Sequence, residues 1–243
     1  MVPKAQYLLF TSVYELEASA IDALRENLSI PIHPIGPAIP YFGTKEQLSP
    51  VIADENQESD NVIKWLNAQA KSSVLYISQG SFLSVSSAQL DEIIAGVHES
   101  GVKYLWVAPG GDIDTSRFHR RNGDGGLVVP WCNQFKFLCH PSVGGFWSHC
   151  GWNSTKEAAF AGITFPIFWD QTTNSELIVG VKVQKGDGSL VMRDEICGLL
   201  RRFMDMKEMR KRAKMVRETC QNSLKKGLHL IEQSLLASVS LYL

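Results

Sequence analysis

Short β-branched and aromatic runs alternate along this chain with stretches of helical period, and that alternation is the strongest limit on what it can fold into. "YLLFT" precedes "YELEASAIDALREN" and "SVLYIS" precedes "SSAQLDEIIAGVHES". "KYLWVA", "GLVV" and "SVGGFWS" follow, the last leading into "NSTKEAAFA", with "ITFPIF" further on. Strands separated by helical stretches become neighbours through crossover connections, so the fold class is α/β with a parallel sheet. The late run "RDEICGLLRRFMDMKEMRKRAKMVRETCQ" fits one or two amphipathic helices. Its cluster of Arg210, Lys211, Arg212, Lys214 and Arg217 reads as a solvated helix face. Residues 31–60 are rich in Pro and polar residues and weak in period, which reads as a linker. The main domain is then expected over residues 61–222, with a tail at 223–243. Residues 1–30 form one βα unit, too little to close a core alone.

Composition excludes several classes of function. The 243 residues are 44% apolar, enough for a full core, and the formal net charge is -1. No global field draws such a chain onto nucleic acid or an acidic membrane. Five cysteines (Cys132, Cys139, Cys150, Cys197 and Cys220) form no C-x-x-C pair, the usage expected of buried or free thiols in a reducing compartment. The apolar stretch in "MVPKAQYLLF" is short for a signal peptide, and no run reaches the roughly 18 apolar residues of a membrane span. A soluble cytoplasmic protein is the expectation.

The stretch "HCGWNSTKEAAFAG", from His149 to Gly162, sits where a strand hands over to a helix. A helix N-terminus carries unpaired N–H donors and partial positive charge, and open parallel sheets collect ligands at the carboxyl ends of their strands. A phosphate suits that place: His149 can donate to it, Gly151 allows close backbone approach, and Asn153 and Ser154 add donors. The same residues have a ligand-free reading, because Ser154-x-x-Glu157 is also a capping box. Trp131 in "VVPWCNQ" follows a strand and can stack on a planar base, with the backbone of Cys132 on the base edge and Gln134 in reach of a sugar hydroxyl. Asp170 and Gln171 in "FWDQ" suit vicinal hydroxyls, and "ISQGS" supplies a further strand-end turn at Gly80-Ser81. Taken singly, each has a plain structural use as rim packing or turn.

Read as one stretch, "WCNQFKFLCHPSVGGFWSHCGWNSTKEAAFAGITFPIFWDQ" resembles the signature box of plant family-1 UDP-glycosyltransferases. "YELEASAIDALR", "PIGP", "WLNAQAKSSVLYISQGS" and "GVKYLWVA" resemble successive segments of the same family, so the likeness covers most of the chain. It implies the GT-B architecture of two Rossmann-like domains. This chain would supply the C-terminal, donor-binding one with a remnant βα unit of the other. By position, the resemblance implies that Trp131 stacks on uracil, Cys132 contacts the base through its backbone, and Gln134 and Glu157 bind the ribose. His149, Asn153, Ser154 and Ser81 would hold the diphosphate, with Gly151 giving close approach. Trp152, Asp170 and Gln171 would meet the sugar, Gln171 pointing to glucose. On this reading Glu157 serves the ribose rather than a cap.

The implied reaction is inverting transfer from UDP-glucose to a hydroxyl of a small phenolic, flavonoid or hormone-like acceptor, with no metal and no further cofactor. The family's base, a His early in its N-terminal domain oriented by an Asp, has no counterpart in these residues. The expectation is therefore a donor-binding half, inactive alone, and its alternative is a non-catalytic UDP-sugar-binding module. The sequence also departs from the family's pattern. The segment from Ala161-Gly162 to Asp170-Gln171 is about three residues shorter, roughly 10 Å of strand. Gly180 follows "SELIV" without the usual acidic, Trp-containing stretch, and Pro109 stands where Arg is common. The tail "KKGLHLIEQSLLASVSLYL" lacks the family's ending, which leaves open whether it forms the closing helix.

Overall fold

The computed structural model describes residues 7–36, 57–78, 86–108, 125–130, 133–149, 151–161 and 190–240. The chain divides into two compact units, Met1–Leu48 with Met215–Leu243, and Ser49–Lys214.

The larger unit is built on a four-stranded parallel sheet of β3 (Val74–Ser78), β4 (Lys103–Val107), β5 (Gly126–Val129) and β6 (Val143–Ser148), in the order β5-β4-β3-β6. Every residue of β6 is buried, as are the first four of β3, which is why both read as continuous apolar runs without alternation. The chain steps outward from β3 through β4 to β5, then returns to the opposite side of β3. The sheet therefore reverses direction between β3 and β6, and in open parallel sheets ligands bind outside the carboxyl ends of the strands at such a reversal.

Both faces are sealed. Leu75, Ile77, Tyr104, Trp106 and Trp147 share a cluster with Leu90, Ile93, Ile94 and Val97 of α3 (Ser87–Ser100) and Ile196, Leu199, Leu200 and Phe203 of α6 (Arg193–Asp205). On the other face Tyr76 meets Phe146 edge-on at 5.3 Å, both fully buried. Each aliphatic side chain so covered contributes about 2 kcal/mol from burial. α2 (Gln57–Asn67), α4 (Gln134–Leu138) and α5 (Trp152–Ala161) complete this unit.

Two devices fix the packing, one local and one long-range. β6 carries a bulge: Val74 pairs with Val143 but Leu75 with Gly145, so Gly144 is the extra residue. A Cβ at Gly144 would stand 2.2 Å from the Ser72 carbonyl oxygen, and Ser72 itself has φ 55°. The bulge decides which face every later residue of β6 presents, because side chains alternate along a strand. The second device joins α3 to α6. The Gln89 side chain makes a reciprocal pair with the Val191 backbone, donating to its carbonyl and accepting from its N–H, both at 3.0 Å. Glu92 accepts from the Arg193 guanidinium at 2.6 and 3.1 Å and from the Arg193 backbone N–H at 2.7 Å. Met192, the N-cap of α6, supplies no side-chain cap, so Glu92 caps that helix from another element. Gly96 permits the close approach, since a Cβ there would lie 2.7 Å from the Ile196 Cβ.

In the smaller unit β1 (Leu8–Phe10) pairs in parallel with β2 (Ile32–Pro34), and α1 (Tyr14–Asn27) packs on β2. β2 falls inside the Pro-rich stretch that the sequence assigns to a linker, and the first residues of α2 lie in that stretch too. The two prolines flanking and ending the strand, Pro31 and Pro34, hid it, although neither blocks it: Pro31 accepts from Leu8 N–H at 2.9 Å through its carbonyl. The late amphipathic run is two helices, α6 and α7 (Lys207–Ser240), parted at Met206, whose ψ of 94° is extended. α7 stays helical through Ser240, so the unusual tail is helical as far as the described residues reach. Gly227 lets it close on the Ile35 carbonyl, and Lys226 pairs with Glu15 at 3.0 Å.

Gly144→Ala is expected to destabilise the protein by about 2 kcal/mol or more in chemical denaturation, because backbone rather than a movable side chain opposes the added methyl. For Glu92 the Arg193 hydrogen bonds hold the carboxyl below its usual 4.5. Its contribution is fully present above that value and is lost as pH falls through the lower folded-state value. Glu92→Gln should therefore lower the Tm at pH 7, with a gap that narrows on acidification; a gap independent of pH would contradict the ion pair's role.

Candidate functional site

β6 ends at the fully buried Ser148, and the next residue, His149, emerges half-buried at the carboxyl edge where the sheet reverses. The helix that follows opens when Thr155 N–H donates to the Gly151 carbonyl at 2.8 Å. This makes Gly151 the residue before the first turn and places Trp152, Asn153 and Ser154 within it. Their N–H groups precede the first intrahelical donor, Thr155 N–H, and so have no acceptor within the helix, and no acidic residue in that turn offsets the partial positive charge. A Cβ on Gly151 would lie 2.5 Å from His149 Nε2, so the imidazole is seated directly on the glycine backbone. Only glycine permits that contact without moving the ring.

The capping-box reading is corrected by this geometry. Ser154 is the third helical residue, not the cap, and Glu157 does not reach back to the helix start. The Glu157 carboxylate instead accepts a hydrogen bond from the side-chain amide of Gln134, on α4. α4 is too short to be seen by periodicity, and Asn133 sets it up: its side-chain oxygen accepts from Lys136 N–H at 3.1 Å as an N-cap. Asn133 is not among the site residues expected from sequence, and the available signal is an Asn, a preferred N-cap residue, directly ahead of Gln134. Gln134 and Glu157 are thus brought together across 23 residues, while His149, Gly151, Trp152, Asn153 and Ser154 occupy the strand-helix turn beside them. Asn153 is exposed and the other four are half-buried. Ser81, Trp131, Cys132, Asp170 and Gln171 lie outside the described residues, as do Pro109, Gly180 and the shortened segment before Asp170.

Burial is the largest influence on the Glu157 carboxyl and raises its pKa, against the lowering effects of the Gln134 hydrogen bond and the neighbouring Lys156 charge. Lys156 is pushed down by its own burial, with Glu157 acting against the shift. A half-buried carboxylate held by one amide retains accepting capacity for further donors, the property a hydroxyl-bearing ligand requires.

Comparison with known proteins decides the lineage. Residues 16–194 match the family model described as UDP-glucoronosyl and UDP-glucosyl transferase. The chain belongs to this family. Within it, the sequence groups with the plant family-1 UDP-glycosyltransferases: it is 47% identical over 239 residues to UDP-glycosyltransferase 87A1 of Arabidopsis thaliana, covering 92% of this chain and 52% of the relative. Identity to UDP-glycosyltransferase 87A2 of the same plant is 48% over 227 residues, covering 87% of this chain and 48% of the relative. Among solved structures, Phytolacca americana UGT2 complexed with UDP-2fluoro-glucose and pterostilbene matches with a TM-score of 0.73 at 31% identity, over 95% of this chain and 53% of that one. A ugt transferase from Siraitia grosvenorii in complex with UDP matches with a TM-score of 0.74 at 25% identity, over 93% and 60%. The parallel sheet is the Rossmann-like half of the family's GT-B architecture. The chain spans about half the length of the curated relatives it matches. No described helix of the chain is long and apolar enough to cross a membrane.

Glu157→Gln separates a ligand-binding carboxylate from a structural one. The raised pKa means that ionisation costs folding stability: the favourable contribution is present below the usual 4.5 and lost as pH rises through the folded-state value. The amide variant avoids that cost, so at pH 7 its Tm should equal or exceed the parent's, with the difference closing on acidification. A lower Tm at pH 7 would make Glu157 a structural residue.

Proposed function

We propose that the Ser49–Lys214 unit binds a UDP-sugar and serves as the donor half of an inverting glycosyl transfer. The observation that supports this most directly is the meeting of the Gln134 amide with the Glu157 carboxylate beside the His149-Gly151 turn. One arrangement then offers a hydroxyl-binding pair next to a cluster of donors suited to an anion.

Each group has a task on this reading. Glu157 and Gln134 take the ribose hydroxyls. The first N–H groups of α5, with His149, Asn153 and Ser154, meet the diphosphate and stabilise the negative charge that grows on it as the glycosidic bond to phosphate breaks. No metal is needed, because these donors supply the electrostatic compensation. Trp131 stacks on the uracil, the Cys132 backbone reads its edge, and Ser81 joins the diphosphate. Trp152, Asp170 and Gln171 meet the sugar, for which glucose is proposed. The acceptor is a small phenolic or hormone-like hydroxyl compound and the compartment the cytosol. A general base must remove the acceptor hydroxyl's proton as the anomeric centre inverts. The family's base motif is not found in these residues, so the chain as given is proposed to bind the donor without turning it over.

Calorimetric titration with UDP, using ADP as control, tests this reading. UDP should bind in preference to ADP, and Trp131→Ala should weaken it by about tenfold or more through lost stacking. His149→Ala and Glu157→Gln should each weaken it by about tenfold or more through lost polar contacts. A folded chain that ignores UDP, or binds both nucleotides alike, would overturn the donor-site assignment. Glucosyl transfer to a phenolic acceptor by the purified chain would overturn the claim of binding without turnover.

A further inference from the structure

The junction of α6 and α7 carries more positive charge than the fold employs. Between Arg201 and Lys214, all within the larger unit, stand seven basic residues and two acidic ones, in a chain whose formal net charge is -1. Two of the seven serve helix ends. Arg201 donates to the Glu99 and Ser100 carbonyls at 2.6 and 3.1 Å, and Arg210 donates to the Met204 carbonyl, so both offset the partial negative charge where α3 and α6 finish. Arg202, Lys207, Lys211 and Arg212 have no such use: all four are exposed and make no hydrogen bond or ion pair among the described residues. The two acidic residues, Asp205 and Glu208, are exposed as well and pair with none of them.

The helix arranges these charges in a row. Residues three and four apart are neighbours on a helix surface, so Lys207, Lys211 and Lys214 follow one another over about 10 Å. Ala213, on the opposite side, is buried, which turns the row outward. Met206, directly ahead of Lys207 in the chain, is 39% exposed and puts an apolar side chain at the head of the row. Glu99 and Ser100 close α3 just before β4 begins at Lys103, so the Arg201 contacts set the end of α6 at the amino ends of the strands. His149 follows the carboxyl end of β6, on the other edge. A surface that meets the basic row leaves the candidate site open.

We propose that the Lys207-Lys211-Lys214 row, with Arg202 and Met206, is a docking surface for an anionic lipid bilayer. The near-neutral net charge gives no global pull, so the attraction is local: each exposed Lys or Arg gains from negative headgroups within a screening length. The Met206 thioether adds an apolar contact at the headgroup boundary. Single-stranded nucleic acid fits the row less well, because such strands are held on aromatic platforms and Phe203, the aromatic residue of this stretch, is buried. Docking is independent of whether the larger unit binds UDP.

Flotation of the whole chain with lipid vesicles tests this. Vesicles of phosphatidylcholine with about one-third phosphatidylserine should carry the chain at about 0.1 M salt, and phosphatidylcholine alone should not. Raising the salt to about 1 M, where the screening length falls to about 3 Å, should release it. Lys207→Glu combined with Lys211→Glu should weaken partitioning by about tenfold or more, whereas Lys64→Glu, exposed on α2, should change it by less than about twofold. Lys207→Gln with Lys211→Gln, a milder pair, should fall between, and circular dichroism should match the parent's for every variant. A folded chain that stays off the anionic vesicles would overturn the proposal. So would equal binding to phosphatidylcholine alone, undiminished binding of the Glu pair, an equal loss in Lys64→Glu, or release from the vesicles by a DNA duplex that the row holds more tightly.

Discussion

The pairing of β3 with β6 is the constraint on which the larger unit depends. It makes the sheet reverse direction, and the reversal determines where a ligand can sit. The pairing is tight because Gly144 bulges where the Ser72 backbone crosses it, and the bulge fixes the faces of Gly145, Phe146, Trp147 and Ser148. His149 inherits its position from that sequence of alternations. A strand slipped by one residue would turn Trp147 away from the α3-α6 cluster and carry the imidazole with it.

The site itself is made by short, local devices mounted on this frame. Asn133 caps a helix of only five residues so that Gln134 can reach Glu157. Gly151 opens α5 and seats the imidazole in front of it. Far from these, Gln89 and Glu92 lock the return of the chain at Val191 and Arg193 and stand in for the missing cap of α6. Rigid support of this kind is what preorganised donor groups need, since their value lies in requiring no reorganisation when a charge develops.

Much of this architecture could be read from the residues. The buried runs of β3, β4 and β6 and the helical period of α1 and α3 are strong signals because each element is long enough to repeat its pattern. β2 was hidden by its flanking prolines and α4 by its brevity, both cases in which tertiary partners rather than local period make the element. The S-x-x-E spacing pointed to a cap at Ser154, but the helix starts earlier, at Trp152, and Glu157 is claimed by a partner 23 residues upstream. Contacts such as Glu92 with Arg193, 101 residues apart, have no local trace at all. The hydrogen bond between Gln134 and Glu157, 23 residues apart, likewise has no local trace; the resemblance implies only a shared ribose for the two.

On the function proposed, the β6-α5 turn and the Gln134-Glu157 pair form one nucleotide-sugar grip. A crystal structure of the chain with UDP tests it most directly. The account requires the diphosphate in front of the first turn of α5, within hydrogen-bond distance of His149 or the adjacent N–H groups, and the ribose hydroxyls on Glu157 and Gln134. UDP bound elsewhere, or bound with the Gln134-Glu157 pair facing solvent, would contradict it.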